Sequence, residues 1–264
     1  MGRGIPHLGV DLPELDVTDA AAVRRAVVAA QPSAIVNCAA FTAVDAAEAR
    51  EAEALAVNGG AVATLAAAAD EVGATLLQLS TDYVFDGSST RPYREDDPPA
   101  PRSVYGRTKL AGELAAVRAA RHLIVRTAWL FGHGGTNFVE AIRAQARGGA
   151  TVLRVVDDQT GSPTYATDLA DALIDLLAVG ATGTVHVVNE GSVSWCGFAR
   201  AIVAGLGARV GVVPIATDEA ARPAFRPSYS VLDCGRLATL IDRRLPVWTD
   251  ALSRYLRVPP GAAR

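Results

Sequence analysis

Lysine is almost missing from this chain. Of its 25 Lys and Arg residues only Lys109 is a lysine, so the sequence otherwise always selects arginine. Cysteine is scarce as well: Cys38, Cys196 and Cys234 form an odd, scattered set, which excludes a disulfide framework and has no metal-ligand spacing. No metal is assigned on that basis. No apolar run reads as long enough to span a bilayer, because Ala-rich stretches such as Ala61–Ala69 carry polar flanks. No secretory apolar region follows Met1-Gly2-Arg3-Gly4. The net charge is −3 and no basic stripe is present, which argues against a nucleic-acid partner. What remains is a reduced, cytoplasmic protein of 264 residues, half of them hydrophobic. That suffices for one large domain, or for a domain with a smaller lobe.

Short β-branched runs alternate with longer Ala/Leu/Glu/Arg segments, the pattern of a parallel sheet with crossover helices. The spacing predicts strands at Leu8–Leu12, Ala34–Cys38 (fully buried), Thr75–Leu79, His122–Arg126, Val152–Val156, Thr184–Val188 and Val210–Ile215. Helices are expected over Asp19–Ala30, Asp45–Val72 with an interruption at Asn58-Gly59-Gly60, Ser103–Ala120, Phe138–Arg147, Thr167–Val179, Ser194–Leu206 and Val247–Leu256. The expected fold class is α/β, a doubly wound parallel sheet in residues 1–150. A smaller C-terminal lobe is expected in residues 151–264, with elements interleaved between the two. In such sheets ligands sit beyond the carboxyl ends of the strands. Asn37–Thr42, Ser80–Asp82 and Arg126–Trp129 all fall there.

The lone lysine sharpens one of these stretches, Tyr105-Gly106-Arg107-Thr108-Lys109. Residues four apart on a helix stand one above the other on the same face. With only six tyrosines in the chain, the placement of the single lysine is a rare coincidence. A compact, pKa-adjustable point charge is what lysine offers and arginine does not. A cation held there is expected to lower the phenol from about 10 and so let it exchange a proton with a substrate oxygen. Thr81 at the end of a buried strand adds a hydroxyl, and the set makes a sensible cradle for a carbonyl oxygen.

Four stretches carry a resemblance: Asn37-Cys38-Ala39-Ala40-Phe41-Thr42-Ala43-Val44-Asp45, Ser80-Thr81-Asp82-Tyr83-Val84-Phe85-Asp86-Gly87, Tyr105-Gly106-Arg107-Thr108-Lys109-Leu110-Ala111-Gly112-Glu113 and Arg126-Thr127-Ala128-Trp129. Asp158-Gln159-Thr160-Gly161-Ser162-Pro163-Thr164 and Arg226-Pro227-Ser228-Tyr229-Ser230-Val231-Leu232-Asp233 add to them. From about Asp11 to Leu256 the chain resembles the extended short-chain dehydrogenase/reductases, and within them the dTDP-4-dehydrorhamnose reductase family. That resemblance implies a Rossmann-like fold and reduction of the C4 ketone of a dTDP-4-keto-6-deoxy sugar by NADPH or NADH. It implies a catalytic set of Thr81, Tyr105 and Lys109, with Lys109 also gripping a cofactor ribose. Asp16, Val17, Ala39, Ala40, Phe41 and Thr42 would line the dinucleotide. Thr42, Val44, Thr81, Asp82 and Trp129 would face the sugar and its nucleotide. Arg226 is expected at the diphosphate because a bidentate cation suits that group. A homodimer is one assembly the resemblance allows, and neither a membrane nor a nucleic acid is an expected partner.

One family feature is missing. Only fifteen residues precede Asp16, too few for the buried strand, glycine-rich turn and helix that bring a pyrophosphate to a helix N-terminus. His7–Leu12 then reads as the second strand, with Asp11 placed to accept from a ribose 2′-OH. A stretch encoded upstream, or a shortened homologue, would each account for this, and weak cofactor affinity is expected of the chain as written. Two rival readings stand beside the reductase. One is a non-catalytic regulatory subunit of the methionine adenosyltransferase β-subunit type, which the missing glycines favour. The other is an epimerase or dehydratase; dehydratases usually follow the Thr with Asp-Glu, whereas Thr81 is followed by Asp82-Tyr83.

Overall fold

The computed structural model describes residues 4–258. Four strands form the main sheet, all parallel: β1 (Ala34–Asn37), β2 (Thr75–Thr81), β3 (His122–Thr127) and β4 (Gly183–His186), in that spatial order. Asn37 lies opposite Gln78 and Thr81 opposite Thr127, so the carboxyl ends of β1, β2 and β3 line one edge. Side chains on a strand alternate between faces, and two cores result. On one face, α1 (Ala20–Ala30), α2 (Ala61–Val72) and α3 (Val104–Ala116) bury Val23, Val62, Leu65 and Ala116 against Leu76 and Ile124. On the other, helices Ala166–Ala178 and Gly235–Ile241 bury Leu169, Leu176 and Leu237 against Leu77, Leu123 and Val185. Asp19 caps α1 by accepting from the Ala22 N–H at 2.9 Å.

A third core gathers Phe131, Ile142, Leu153, Phe198, Ile202 and Tyr255. Around it lie a parallel pair, Val152–Val156 with Gly211–Ile215, and helices Phe138–Arg147, Trp195–Gly205 and Trp248–Arg257. Its residues come from both sides of position 150, while β4 returns to the main sheet.

Four sequence expectations change here. Leu8–Leu12 is no strand; these residues are exposed and pass into a turn. Ala34–Asn37 is not fully buried, because β1 pairs only with β2 among the described residues and Val36 is 43% exposed. Within Asp45–Val72 the expected interruption is a π-helical turn at Ala56–Gly60 leading into α2, but a further break at Arg50 separates Val44–Ala49 from Glu51–Leu55. The helical run Glu51–Val72 is also long and apolar enough, by length and composition alone, to cross a membrane. Its apolar residues Val62, Leu65, Ala66 and Ala69 are spent on the core instead.

Candidate active site

The site is built on the end of β2 and the start of α3. Ser103 caps α3, accepting from the Gly106 N–H at 3.1 Å. A Cβ at Gly106 would stand 2.3 Å from the Tyr83 carbonyl oxygen, and one at Gly112 2.1 Å from that of Asn58. Glycine at both positions lets α3 dock backbone to backbone on the loop after β2 and on the π-helical turn. The first turn of α3 is thereby pressed against the strand end. Tyr105 and Tyr83 meet edge to face, with ring centroids 5.4 Å apart.

Thr81 ends β2. Its Oγ1 accepts from the Tyr83 N–H at 3.2 Å and donates to Asp82 Oδ1 at 3.0 Å. Asp82 is 2% exposed. Burial pushes its carboxyl up to about 6, opposed by hydrogen bonds from Ser230 and Thr81. Lys109 is also buried; its Nζ donates to the Leu79 carbonyl at 2.7 Å. Burial brings its ammonium down to about 8, with Glu113 opposing the fall. Cys38, at the end of β1, lies near enough for its charge to act on Lys109.

The Tyr105 phenol departs from the sequence expectation. Burial pushes it up to about 12, opposed by Thr81 and reinforced by the charge of Asp82. Desolvation disfavours phenolate, and the Lys109 ammonium turns to the Leu79 carbonyl. Tyr105 is therefore a loaded acid at neutral pH.

Behind these groups runs a polar network that sequence reasoning missed. Arg126 of β3 grips Glu113 through Nε and Nη2 at 2.9 and 2.7 Å, and Ser80 Oγ donates to the same carboxylate at 2.5 Å. Both charged side chains are about 5% exposed or less. Glu113 is one turn beyond Lys109 on the same face of α3, and Arg126 interrupts an apolar strand. Those were the available signals. Asn58, in the π-helical turn, accepts from the Phe41 N–H at 2.8 Å and donates to Phe41 O and Thr108 Oγ1. Thr108 Oγ1 donates to the Tyr105 carbonyl at 2.9 Å. The Ala39–Thr42 loop and the Tyr105 helix are thus tied through one buried amide, and Phe41 and Tyr105 pack on the same small core.

The remaining expected residues divide. Ala39 and Ala40 are half-buried beyond β1, Thr42 is exposed and Val44 opens the Val44–Ala49 helix. Trp129 has φ +46° and stacks on Trp195 with centroids 3.5 Å apart. Arg226 forks onto Asp45 at 2.9 and 2.8 Å, so a diphosphate would have to compete with that carboxylate for it. Asp11 lies on no strand and its Oδ1 takes the Leu12 N–H. Asp16 is exposed, its Oδ1 held by Thr18, with half-buried Val17 between them. Nothing brings these three to Tyr105.

A nicotinamide nucleotide fits this site in part. An ammonium has three N–H donors, and Lys109 spends one on Leu79 among the described residues, leaving donors for ribose hydroxyls beside Tyr105. No glycine-rich turn opens a helix beside β1 among the described residues, so the pyrophosphate has no cradle there.

The family described as the RmlD substrate binding domain matches residues 1–258. The chain belongs to this family. It is 49% identical to a dTDP-4-dehydrorhamnose reductase of Streptomyces griseus, over 99% of this chain and 88% of that protein. It is 43% identical to a dTDP-4-keto-6-deoxy-D-glucose reductase of Streptomyces niveus, covering 96% of this chain and 88% of the relative. Among solved structures, the dTDP-4-dehydrorhamnose reductase of Bacillus anthracis in complex with NADP superposes with a TM-score of 0.92 at 37% identity, covering 94% of this chain and 88% of that one. The Rossmann-like fold and the oxidoreductase class expected from the sequence are those of these relatives.

Proposed function

We propose that this chain reduces the C4 ketone of a dTDP-4-keto-6-deoxy sugar, with dTDP-4-dehydro-L-rhamnose going to dTDP-L-rhamnose as the leading case. The observation that carries the reading is the meeting of Thr81, Tyr105 and Lys109 at one strand end, in a chain whose relatives are named for this reduction. The Streptomyces niveus relative, named for dTDP-4-keto-6-deoxy-D-glucose, keeps a second sugar of the same class open. Lys109, Tyr105 and the Ala39–Thr42 loop would hold NADPH or NADH, which would supply the hydride.

The protein's share is orientation and one proton. As negative charge grows on the C4 oxygen, Tyr105 gives it the phenolic proton. A phenol near 12 keeps that proton at neutral pH and still loses it readily to an alkoxide. Thr81 holds the oxygen, and Asp82, Thr42, Val44 and Trp129 border the sugar. Lys109 sets the cofactor ribose. The buried Glu113–Arg126 pair fixes the elements that carry all three catalytic groups.

The test is NAD(P)H oxidation with dTDP-4-keto-L-rhamnose, wild type against Tyr105→Phe. Loss of about 10²–10⁴-fold in kcat is expected when the positioned acid is removed. A Phe variant with wild-type kcat would overturn the proton-donor assignment. Co-purification with an unrelated enzyme, and no ketone reduction by wild type, would favour the regulatory-subunit reading instead.

A further inference from the structure

The hydrogen-bond inventory around Thr81 contains a conflict. A threonine hydroxyl has one hydrogen and two lone pairs. The hydrogen goes to Asp82 Oδ1 at 3.0 Å, one lone pair takes the Tyr83 N–H at 3.2 Å, and the remaining side faces the Tyr105 phenol. An ionised carboxylate can only accept. While Asp82 is charged, Thr81 therefore has no hydrogen left for a ketone oxygen. Asp82 itself is 2% exposed, its Oδ2 has no hydrogen-bond partner among the described residues, and none of the ion pairs there includes it.

Resting on the reductase reading above, we propose that Asp82 is a positioning residue that decides which way the Thr81 hydroxyl points. Ionised, Asp82 claims the Thr81 hydrogen. Protonated, it donates to Thr81 Oγ1 instead and frees that hydrogen for the C4 oxygen, next to the proton arriving from Tyr105. No net proton is consumed by Asp82 in the cycle; the Tyr105 proton alone goes to product.

The surroundings leave Asp82 room to change state near neutral pH. Burial without a cation raises its carboxyl to about 6. The groups facing it do not titrate in the same range. Tyr83 is pushed upward by burial and Tyr105 stands at about 12. The Ser230 hydroxyl, from the C-terminal segment, carries no charge. Arg226, which acts on Tyr83, is locked onto Asp45. Lys109 titrates higher, at about 8. A step between pH 5.5 and 7.5 is therefore the one expected of Asp82.

The experiment is kcat/KM for ketone reduction between pH 5.5 and 7.5 in wild type, Asp82→Asn and Thr81→Val. Loss of one donor to a developing oxyanion is large enough to show, so wild type should fall by roughly tenfold across that range as one proton leaves. Asp82→Asn, whose amide can donate to Thr81 at any pH, should stay flat to within about twofold. Thr81→Val should lose far more, relative to wild type, at pH 5.5 than at 7.5. An Asp82→Asn profile parallel to wild type, or an equal Thr81→Val loss at both ends, would overturn the proposal. The Thr81→Val comparison stands alone if Asp82→Asn does not fold. Carboxyl ¹³C NMR of aspartate-labelled protein gives a readout without turnover. One signal, absent from Asp82→Asn, should titrate near pH 6 and move upward in Thr81→Val; titration of that signal near 4 sinks the idea. Wild type that reduces no 4-keto sugar at any pH would instead end the reductase reading itself, so the two failures are distinct.

Discussion

Val36 and Leu77 are cross-strand partners in β1 and β2, yet Val36 is 43% exposed while Leu77 has no accessible surface. The contrast extends along the whole sheet. From β2 to β4 both faces are covered by helices, and even the charges are matched: Glu113 to Arg126, with Ser80 on the same carboxylate. On the β1 side no further strand pairs with the edge among the described residues, and residues 4–14 are exposed. Every group assigned to proton handling belongs to the sealed half. The groups expected at the far end of the dinucleotide, Asp11, Asp16 and Val17, belong to the open half. The proposed proton-handling groups and the residues expected at the far end of the dinucleotide therefore sit in different halves of the sheet.

The largest effect expected on stability tests the sealed half. Arg126→Ala leaves Glu113 buried without its cation, which costs about 3–5 kcal/mol in comparable sites. The Arg24–Glu71 pair on the outer helices is the control, with side chains 64% and 37% exposed. Arg24→Ala should shift the midpoint far less, because water screens an exposed pair. Urea denaturation midpoints measure both. Equal losses at the two sites would mean that the interior pair is hydrated and the halves are not distinct.

A smaller effect is expected where the halves meet. Lys109 holds its charge only below about pH 8, and burial depresses it, so a cofactor contact made by the ammonium weakens as pH rises through that value. NADPH fluorescence titration should show the Kd climbing several-fold between pH 7 and 9. In Lys109→Met the Kd should be weaker by roughly tenfold at pH 7, the size of one hydrogen bond to a charged group, and nearly flat with pH. A Lys109→Met variant with the wild-type pH dependence would remove Lys109 from the cofactor site.

What could be read from the sequence follows the same division. The strands β2 and β3 and the Tyr105 helix were legible because apolar periodicity and the single lysine point the same way. Leu8–Leu12 misled because a strand needs a neighbour, and alternation in sequence carries no record of whether one is present. The direction of the Tyr105 shift was hidden for another reason. Spacing places Lys109 beneath the phenol, but it does not show that the ammonium turns to Leu79 O or that burial dominates. Asn58 and the Glu113–Arg126 pair were visible only as polar residues in apolar surroundings, and their partners lie 17, 13 and 50 residues away.

The smallest expected effect is the most direct probe of the open edge. Val125 of β3 is fully buried, whereas Val36 of β1 is not, so the same substitution can be placed in both halves. Val125→Thr puts a hydroxyl into an apolar core and should cost about 1–3 kcal/mol. Val36→Thr keeps the β-branched shape, exposes its hydroxyl to water, and should stay within about 0.5 kcal/mol of wild type. Thermal or urea unfolding of the two variants side by side gives the comparison without any assumption about activity. If Val36→Thr costs as much as Val125→Thr, β1 is covered in solution by something that buries its side chains. An unpaired strand edge offers its own backbone groups to such a cover, and the cofactor half of the site would then be completed there.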